Sequence, residues 1–478
     1  MIKVNELYNI LPIVIISSGI ILTILFEIFL NKNKLLIYII SIVIVASALI
    51  SSFYIQNKDG FIFNELLKNS IVSIAFCVII LFSVLLTFVS SITYLEKEGI
   101  NFGEYYIIIL CSVLGMLLMI FANDLIIIFI GLELMSICFY ILVGFLRKRI
   151  KSNESALKYF LLGAFISGFL LYGISLMYGA TGSTKLSAYM AMTGIIKNPV
   201  FIVGMVLFAI GFFFKMGVFP FQMWVPDVYE GAPTVVTGLM STAGKIAAIG
   251  TIVPIIIGFK ITDLKILLAV IAVLTMLFGN VIALAQTNIK RLLAYSSIAS
   301  AGYILVGVAS LDEMAVTGIA FYLIAYVFMQ LGSFIIVAVY ESNAKDINDY
   351  NLVNFDDYKG LAKRNPMLGI FFTIFLLSLA GIPPFAGFWG KYYLFYFAIK
   401  SNLVWLSIVA ILLSLVSLYY YLKIIVYMWF QEPLEIYANE KITFDLFGKI
   451  SVITAVLGTL IFGFYPNLFF SIFNFVIK

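Results

Sequence analysis

Apolar blocks, most of them long enough to cross a lipid bilayer, succeed one another along the chain. They fall at 8–30, 35–54, 70–95, 104–122, 125–145, 156–179, 199–224, 233–258, 263–286, 291–309, 313–340, 367–398, 402–430 and 446–474. About 20 residues of helix span the roughly 30 Å of hydrocarbon in a bilayer. Every backbone polar group in that layer must be bonded internally, so only helices and closed barrels cross it. A barrel would read as short alternating segments instead. The expected fold is therefore all-α: a polytopic integral membrane protein of about fourteen transmembrane helices. Composition agrees, with 63% of the 478 residues apolar and 11% charged. A soluble chain carries about 25% charged residues because its surface faces water.

The first block follows a weakly charged start, MIKVNELYN. It is too long for a signal-peptide core and lacks a small-residue cleavage site, so it reads as a retained helix. Lys185 to Ile196 reads as a short interfacial helix, and Glu341 to Pro366 as the longest polar stretch. No soluble domain is expected, and the partner implied is lipid, not nucleic acid.

Positive charge is distributed unevenly. The loops after odd-numbered blocks hold Lys32, Lys34, Lys97, Arg147, Lys148, Arg149, Lys151, Lys158, Lys290, Arg291, Lys345, Lys359, Lys363, Arg364 and Lys441, including all four arginines. Under the positive-inside rule that side is cytoplasmic and both termini lie outside.

A repeat is legible in the letters. YILVG occurs at Tyr140–Gly144 and again at Tyr303–Gly307, about 163 residues on. Pro220-Phe221 with Trp224 behind it is echoed by Pro384-Phe385 with Trp389, an offset of 164. Two matches at nearly one offset suggest duplication of a five-helix unit. Five is odd, so the second copy enters the membrane upside down, the inverted-repeat plan. The chain then divides as one membrane domain, 1–478: helices 1–3 in 1–95, a first repeat in 104–258, an inverted second repeat in 263–430 and a last helix in 446–478. Proline removes a backbone hydrogen bond and clashes with the preceding turn. Blocks seven and twelve are accordingly expected to break at Pro220 and at Pro383-Pro384, and such breaks line cavities.

Four charges resist assignment to a loop: Glu133, Lys215, Lys245 and Lys391. Each costs about 2.5–3.5 kcal/mol at a helix centre on insertion scales. Desolvation disfavours a charged amine, and a nearby carboxylate restores it. At 4 Å and an effective dielectric of about 20 such a pair gains roughly 4 kcal/mol, so moving the acid away switches the lysine from holding a proton to releasing it. The pattern points to proton transfer by these four groups, with Glu133 modulating Lys215. Ser136 and Tyr140 share a face with Glu133, and Thr237 and Ser241 share one with Lys245, in regular α-helical register. Ser296, Ser300 and Tyr303 form a stripe on block ten, and Glu154 and Lys158 add a charged pair; these are expected relay groups. A lysine held in a structural ion pair, or for Lys391 one that snorkels to the interface, is the alternative.

Metal or redox chemistry on this chain finds no support. Cys77, Cys111 and Cys138 sit inside apolar blocks without C-x-x-C spacing, and there is no histidine. Such cysteines ordinarily behave as small buried hydrophobes.

The segments FIGLELMSICFYILVGF, KYFLLGAFISGFLLYGISLMYGATGS, FKMGVFPFQMWVPDVYEGAPTVVTGLMSTAGK, NIKRLLAYSSIASAGYILVG and GIPPFAGFWGKYYLF resemble the N subunit of bacterial NADH–quinone oxidoreductase over essentially the whole chain. PDVYEGAP beside FK…FP marks antiporter-like subunits; KYFLLGAF…YGATGS points to the N subunit. The resemblance implies fourteen helices with inverted repeats and a proton path on Glu133, Lys215, Lys245 and Lys391. It places NADH, FMN, iron–sulfur clusters and quinone on other membrane and peripheral subunits of the complex, in a bacterial cell membrane. Related sequences often carry histidine where this chain has Gln222 and Ser300, so a central link here would run through ordered water. A subunit of a multisubunit cation/proton antiporter, or of a ferredoxin- or hydrogenase-linked complex, remains open from the residues, whereas the buried charges disfavour a purely structural scaffold.

Overall fold

The computed structural model describes residues 4–30, 34–55, 60–192, 194–259, 261, 264–343, 353–434, 442 and 445–477. Lys32, Lys345 and Lys441, counted above on the positive side, lie outside them. The transmembrane elements are α1 (Leu11–Leu30), α2 (Lys34–Ser52), α3 (Ile71–Lys97), α4 (Gly103–Phe121), α5 (Leu125–Val143), α6 (Ile150–Thr181), α7a (Pro199–Met216) and α7b (Trp224–Gly231). They continue with α8 (Thr234–Phe259), α9 (Leu264–Leu284), α10 (Ile289–Ala309) and α11 (Ala315–Glu341). The last are α12a (Pro366–Ala380), α12b (Ala386–Lys400), α13 (Val404–Phe430) and α14 (Leu446–Phe464). Among the described residues thirteen helices are long and apolar enough to span a membrane, and the broken α12 makes the fourteenth. The chain is a multi-pass membrane protein.

Two features were not expected. A short antiparallel hairpin, β1 (Gly60–Ile62) and β2 (Leu67–Asn69), joins α2 to α3. The segment read as one interfacial helix from Lys185 to Ile196 holds only a short helix, Leu186–Ala191, and a 3-10 turn, Ile195–Lys197.

The bundle is layered by burial. Nearly every residue of α8, α10 and α11 is enclosed, whereas α1, α6 and α13 turn large apolar faces outward, as hydrocarbon allows. Small residues let backbones approach closely. A methyl group on Gly131 would lie 2.7 Å from the Gly115 carbonyl where α5 meets α4, and one on Gly173 would lie 2.6 Å from the Gly204 carbonyl where α6 meets α7a.

Both expected breaks are present, and both are made alike. Gly217 ends α7a and Gly381 ends α12a in left-handed conformation, at φ 72° and 88°. In each, the following residue's N–H reaches back over the glycine, Val218 to the Phe213 carbonyl at 2.9 Å and Ile382 to Leu377 at 3.1 Å. That double closure satisfies helix-end carbonyls, and glycine accepts the positive φ without strain. Pro220 and Pro384 follow, each after a cis peptide bond. The glycines and the prolines thus recur at one offset, 164 residues. Block seven was expected to break at Pro220, but α7a already stops at Met216, because Gly217 closes it before Pro220 is reached.

Candidate functional site

Each break creates polar backbone inside the membrane, and side chains close it. The Trp224 indole N–H donates to the Phe214 carbonyl at 2.8 Å, bridging α7b back to α7a. At the second break the Lys391 ammonium donates to the carbonyl of Ala380, the last residue of α12a, at 2.9 Å. Trp389 instead turns to the Gly463 carbonyl of α14 at 2.8 Å.

Lys215, Lys245 and Lys391 are 7%, 2% and 5% exposed. Lys391 therefore does not snorkel. None of the three lies within ion-pair distance of a carboxylate among the described residues. Lys215, on the last turn of α7a, sits in an aromatic cage: its Nζ is 5.1 Å from the ring centre of Tyr140, 4.9 Å from Tyr159 and 5.4 Å from Phe214. It also donates to the Tyr140 hydroxyl at 3.3 Å. Trp224 backs the cage by stacking on Tyr159, 4.4 Å between ring centres. Quadrupoles of aromatic faces attract cations, so the cage holds an ammonium in place of an acid. Lys391 stands 4.7 Å above the Tyr303 ring in the same fashion. The tyrosine of each YILVG string thus faces the lysine of a broken helix, although Lys215 precedes its break and Lys391 follows its own.

Lys245 donates to both oxygens of Ser297 in α10, at 2.8 Å to the carbonyl and 2.6 Å to the hydroxyl. Its expected companions are elsewhere. Ser241 bonds the Gly238 carbonyl and Thr237 bonds that of Tyr229. The reason is a π-turn, Met240–Gly244, immediately before Lys245. Its wider winding shifts the register, so the four-residue stripe no longer holds.

Glu133 and Lys215 do not pair directly. Glu133, half-buried on α5, accepts the hydroxyl of Ser167 on α6. Ser136 bonds its own helix, to the Leu132 carbonyl. Tyr140 is the residue from that face which reaches Lys215.

Between Lys245 and Lys391 the hydroxyls of α10 line up with a set from other helices. Ser296 shares a hydrogen bond with Tyr421 of α13. Ser300 lies beside Tyr322 of α11. Tyr303 accepts from the Asn280 amide at 3.3 Å, and Tyr420 donates to the same amide's oxygen at 3.0 Å. Gln222, in the first break, is buried with its carbonyl oxygen unbonded.

Glu154 and Lys158 stand apart from this line. They form an i, i+4 ion pair at 2.7 Å with side chains about half exposed, and Lys158 also reaches Asp227 of α7b at 3.0 Å. Arg291 clamps α7b further, binding Asp227 and Glu230 at 2.8 Å each.

The sequence reading missed one buried amine. Lys290, counted as a loop charge, is 3% exposed at the start of α10. It donates to the Ala232 carbonyl, between α7b and α8, at 2.8 Å. Nearby, Glu98 pairs with Arg149 at 2.5 Å and Glu341 accepts from Thr234 at 2.5 Å. Burial pushes the Glu98 carboxyl above the ordinary carboxylate range against the pull of Arg149. The signal available was the break between α7b and α8 at Ala232-Pro233, which leaves a carbonyl for a cation to fill. No cluster of three or more His, Cys, Asp or Glu side chains suited to a metal occurs among the described residues.

With this geometry in view, the relatives are informative. Residues 122–417 match a family described as NADH:quinone oxidoreductase/Mrp antiporter, transmembrane. The chain is 44% identical over 402 residues to NADH-quinone oxidoreductase subunit N of Trichlorobacter lovleyi, covering 83% of this chain and 81% of that one. Among solved structures it resembles a chain of respiratory complex I from Thermus thermophilus with bound aureothin, at 30% identity and TM-score 0.81, covering 96% and 98% of the two chains. A chain of the Mrp complex from Dietzia superposes with TM-score 0.86 over 99% and 97% but at 19% identity, which speaks for the fold alone. Shape therefore does not separate the branches, and sequence identity does. The chain belongs to the NADH:quinone oxidoreductase/Mrp antiporter transmembrane family and, within it, to the N subunits of NADH–quinone oxidoreductase.

Proposed function

We propose that the chain is the proton-translocating N-type subunit of an NADH–quinone oxidoreductase, and that protons move through it by way of Lys215, Lys245 and Lys391, with Glu133 acting on the first. One observation carries the reading: three buried amines, each held by neutral oxygens or aromatic faces and none within ion-pair distance of an acid among the described residues. A structural ion pair would supply a partner, whereas a group that must gain and lose a proton is served by a site tolerant of both forms. Ser296, Ser300 and Tyr303, with Tyr322, Tyr421 and Asn280, support a hydroxyl- and water-lined route between Lys245 and Lys391. With serine at position 300, water must carry the proton there, since a hydroxyl does not titrate near neutral pH. Segments α4–α8 and α9–α13 are read as inverted copies, supported by the common offset of their breaks.

NADH, FMN, iron–sulfur clusters and quinone belong on partner subunits in this reading, and the subunit composition of the native complex tests that. The complex sits in a bacterial cell membrane with Arg147, Arg149, Arg291 and Arg364 toward the cytoplasm and both termini outside. A reporter fused to the C-terminus would contradict the orientation by reading cytoplasmic. The central test is Lys215→Ala and Lys245→Ala in the assembled complex. Each is expected to abolish proton transport while assembly survives, and full pumping by either refutes the route.

A further inference from the structure

Among the described residues, Lys290 is the one buried amine that the route above leaves unused, and it lies on the α10 face that holds Lys245. On α10 it precedes Ser297, the residue that holds Lys245, by seven positions. Residues seven apart share a helix face, about 10 Å along the axis. Leu293 lies between them, and its carbonyl accepts the Gln330 side-chain amide of α11 at 3.2 Å. The other end of that amide, Gln330 Oε1, is buried without a partner, and the hydroxyl of Tyr326 one turn away is buried beside Ser297. Native interiors seldom leave such groups unbonded, and water is the usual partner. Both belong to the stretch of α11 that contains or adjoins its π-turn, Val327–Leu331, which packs on the π-turn of α8 beside Lys245. The charged groups acting on Lys290 are Glu341, Arg149, Glu230 and Glu98, and Glu341 accepts from Thr234, two residues beyond the carbonyl that Lys290 fills.

We propose that Lys290 is a proton-relay residue that loads Lys245 from the arginine-rich side, through water held by Gln330 Oε1 and the Tyr326 hydroxyl. Glu98 and Glu341 deliver the proton to Lys290, which passes it inward and is reloaded. The axial rise of about 10 Å between positions 290 and 297 is a span that two or three waters at hydrogen-bond spacing cover. This inference rests on the role of Lys245 proposed above.

The alternative is that Lys290 merely fills the Ala232 carbonyl, and two substitutions distinguish the cases. Lys290→Gln keeps a donor for that carbonyl but carries no transferable proton. Lys290→Arg keeps both donor and charge but does not release its proton near neutral pH. In inverted membrane vesicles containing the intact complex, NADH-driven acidification per assembled complex is expected to fall at least ~10-fold in both, a lower bound beside the ~100-fold or more that a positioned proton-transfer group contributes. Gln330→Met, which leaves Lys290 untouched, should slow pumping as well and stands in if the lysine variants assemble poorly. Pumping within about two-fold of the unaltered complex in Lys290→Gln or in Gln330→Met, while Lys245→Ala fails, overturns the loading role alone. Full pumping by Lys245→Ala overturns the route and this inference together.

Discussion

Ser297→Ala is the smallest change that probes the centre of the bundle. It deletes one oxygen, 2.6 Å from the Lys245 ammonium, and leaves the carbonyl contact at 2.8 Å. Both side chains are enclosed, so bulk water does not take over the lost contact. A hydrogen bond to a charged group is worth about 1.5–3 kcal/mol net. Each ~1.4 kcal/mol is a factor of ten, so a step in which Lys245 holds its proton slows by roughly 10- to 100-fold. Replacing a serine by alanine in an apolar helix removes little packing, so the complex should assemble in normal amounts. The assay is NADH-driven acidification of inverted vesicles, normalised to assembled complex. Assembly unchanged with pumping within two-fold of the unaltered complex would refute the reasoning, because the shortest polar contact of Lys245 would then have no bearing on proton movement.

Further outcomes follow from other contacts. Tyr140→Phe removes a long hydrogen bond of 3.3 Å from the Lys215 ammonium but keeps the ring beneath it, so pumping should fall about ten-fold, from the ~1.5 kcal/mol at the lower end for a contact to a charged group; abolition would mean that the hydroxyl itself carries the proton. Trp224→Phe frees the Phe214 carbonyl across the first break and should lower the melting temperature of the complex, consistent with about 1–3 kcal/mol for a buried group left unbonded. Gly131→Ala forces a methyl group to 2.7 Å from the Gly115 carbonyl, and an overpacking cost of about 1–3 kcal/mol should appear as reduced assembled complex on native gels. Glu154→Gln breaks a half-exposed pair worth under about 1 kcal/mol, and pumping in the vesicle assay should stay within two-fold of the unaltered complex.

The first break shows how sequence and structure divide the information. Proline at 220 announced a discontinuity, because a missing N–H and a ring clash are local properties of the residue. Where the helix stops was decided by Gly217, whose recurrence at Gly381 was equally available in the letters. The stripe drawn from Thr237 and Ser241 to Lys245 failed for a different reason. It assumed 3.6 residues per turn, and the π-turn at Met240–Gly244 is made where α8 packs on α11, which no local pattern in α8 announces.

What the sequence determined alone is the set of helices, their two breaks and the presence of amines that lipid does not tolerate freely. These follow from hydrocarbon thickness and desolvation, which act on each segment by itself. Only the tertiary structure decided what each amine touches: aromatic rings for Lys215, Ser297 for Lys245, the Ala380 carbonyl for Lys391 and the Ala232 carbonyl for Lys290. For Lys215, Lys245 and Lys290 those partners lie on other segments, 75, 52 and 58 residues away. A buried charge is stabilised by whatever polar or aromatic group packing brings within a few ångströms, and that distance is a property of the bundle rather than of any one helix.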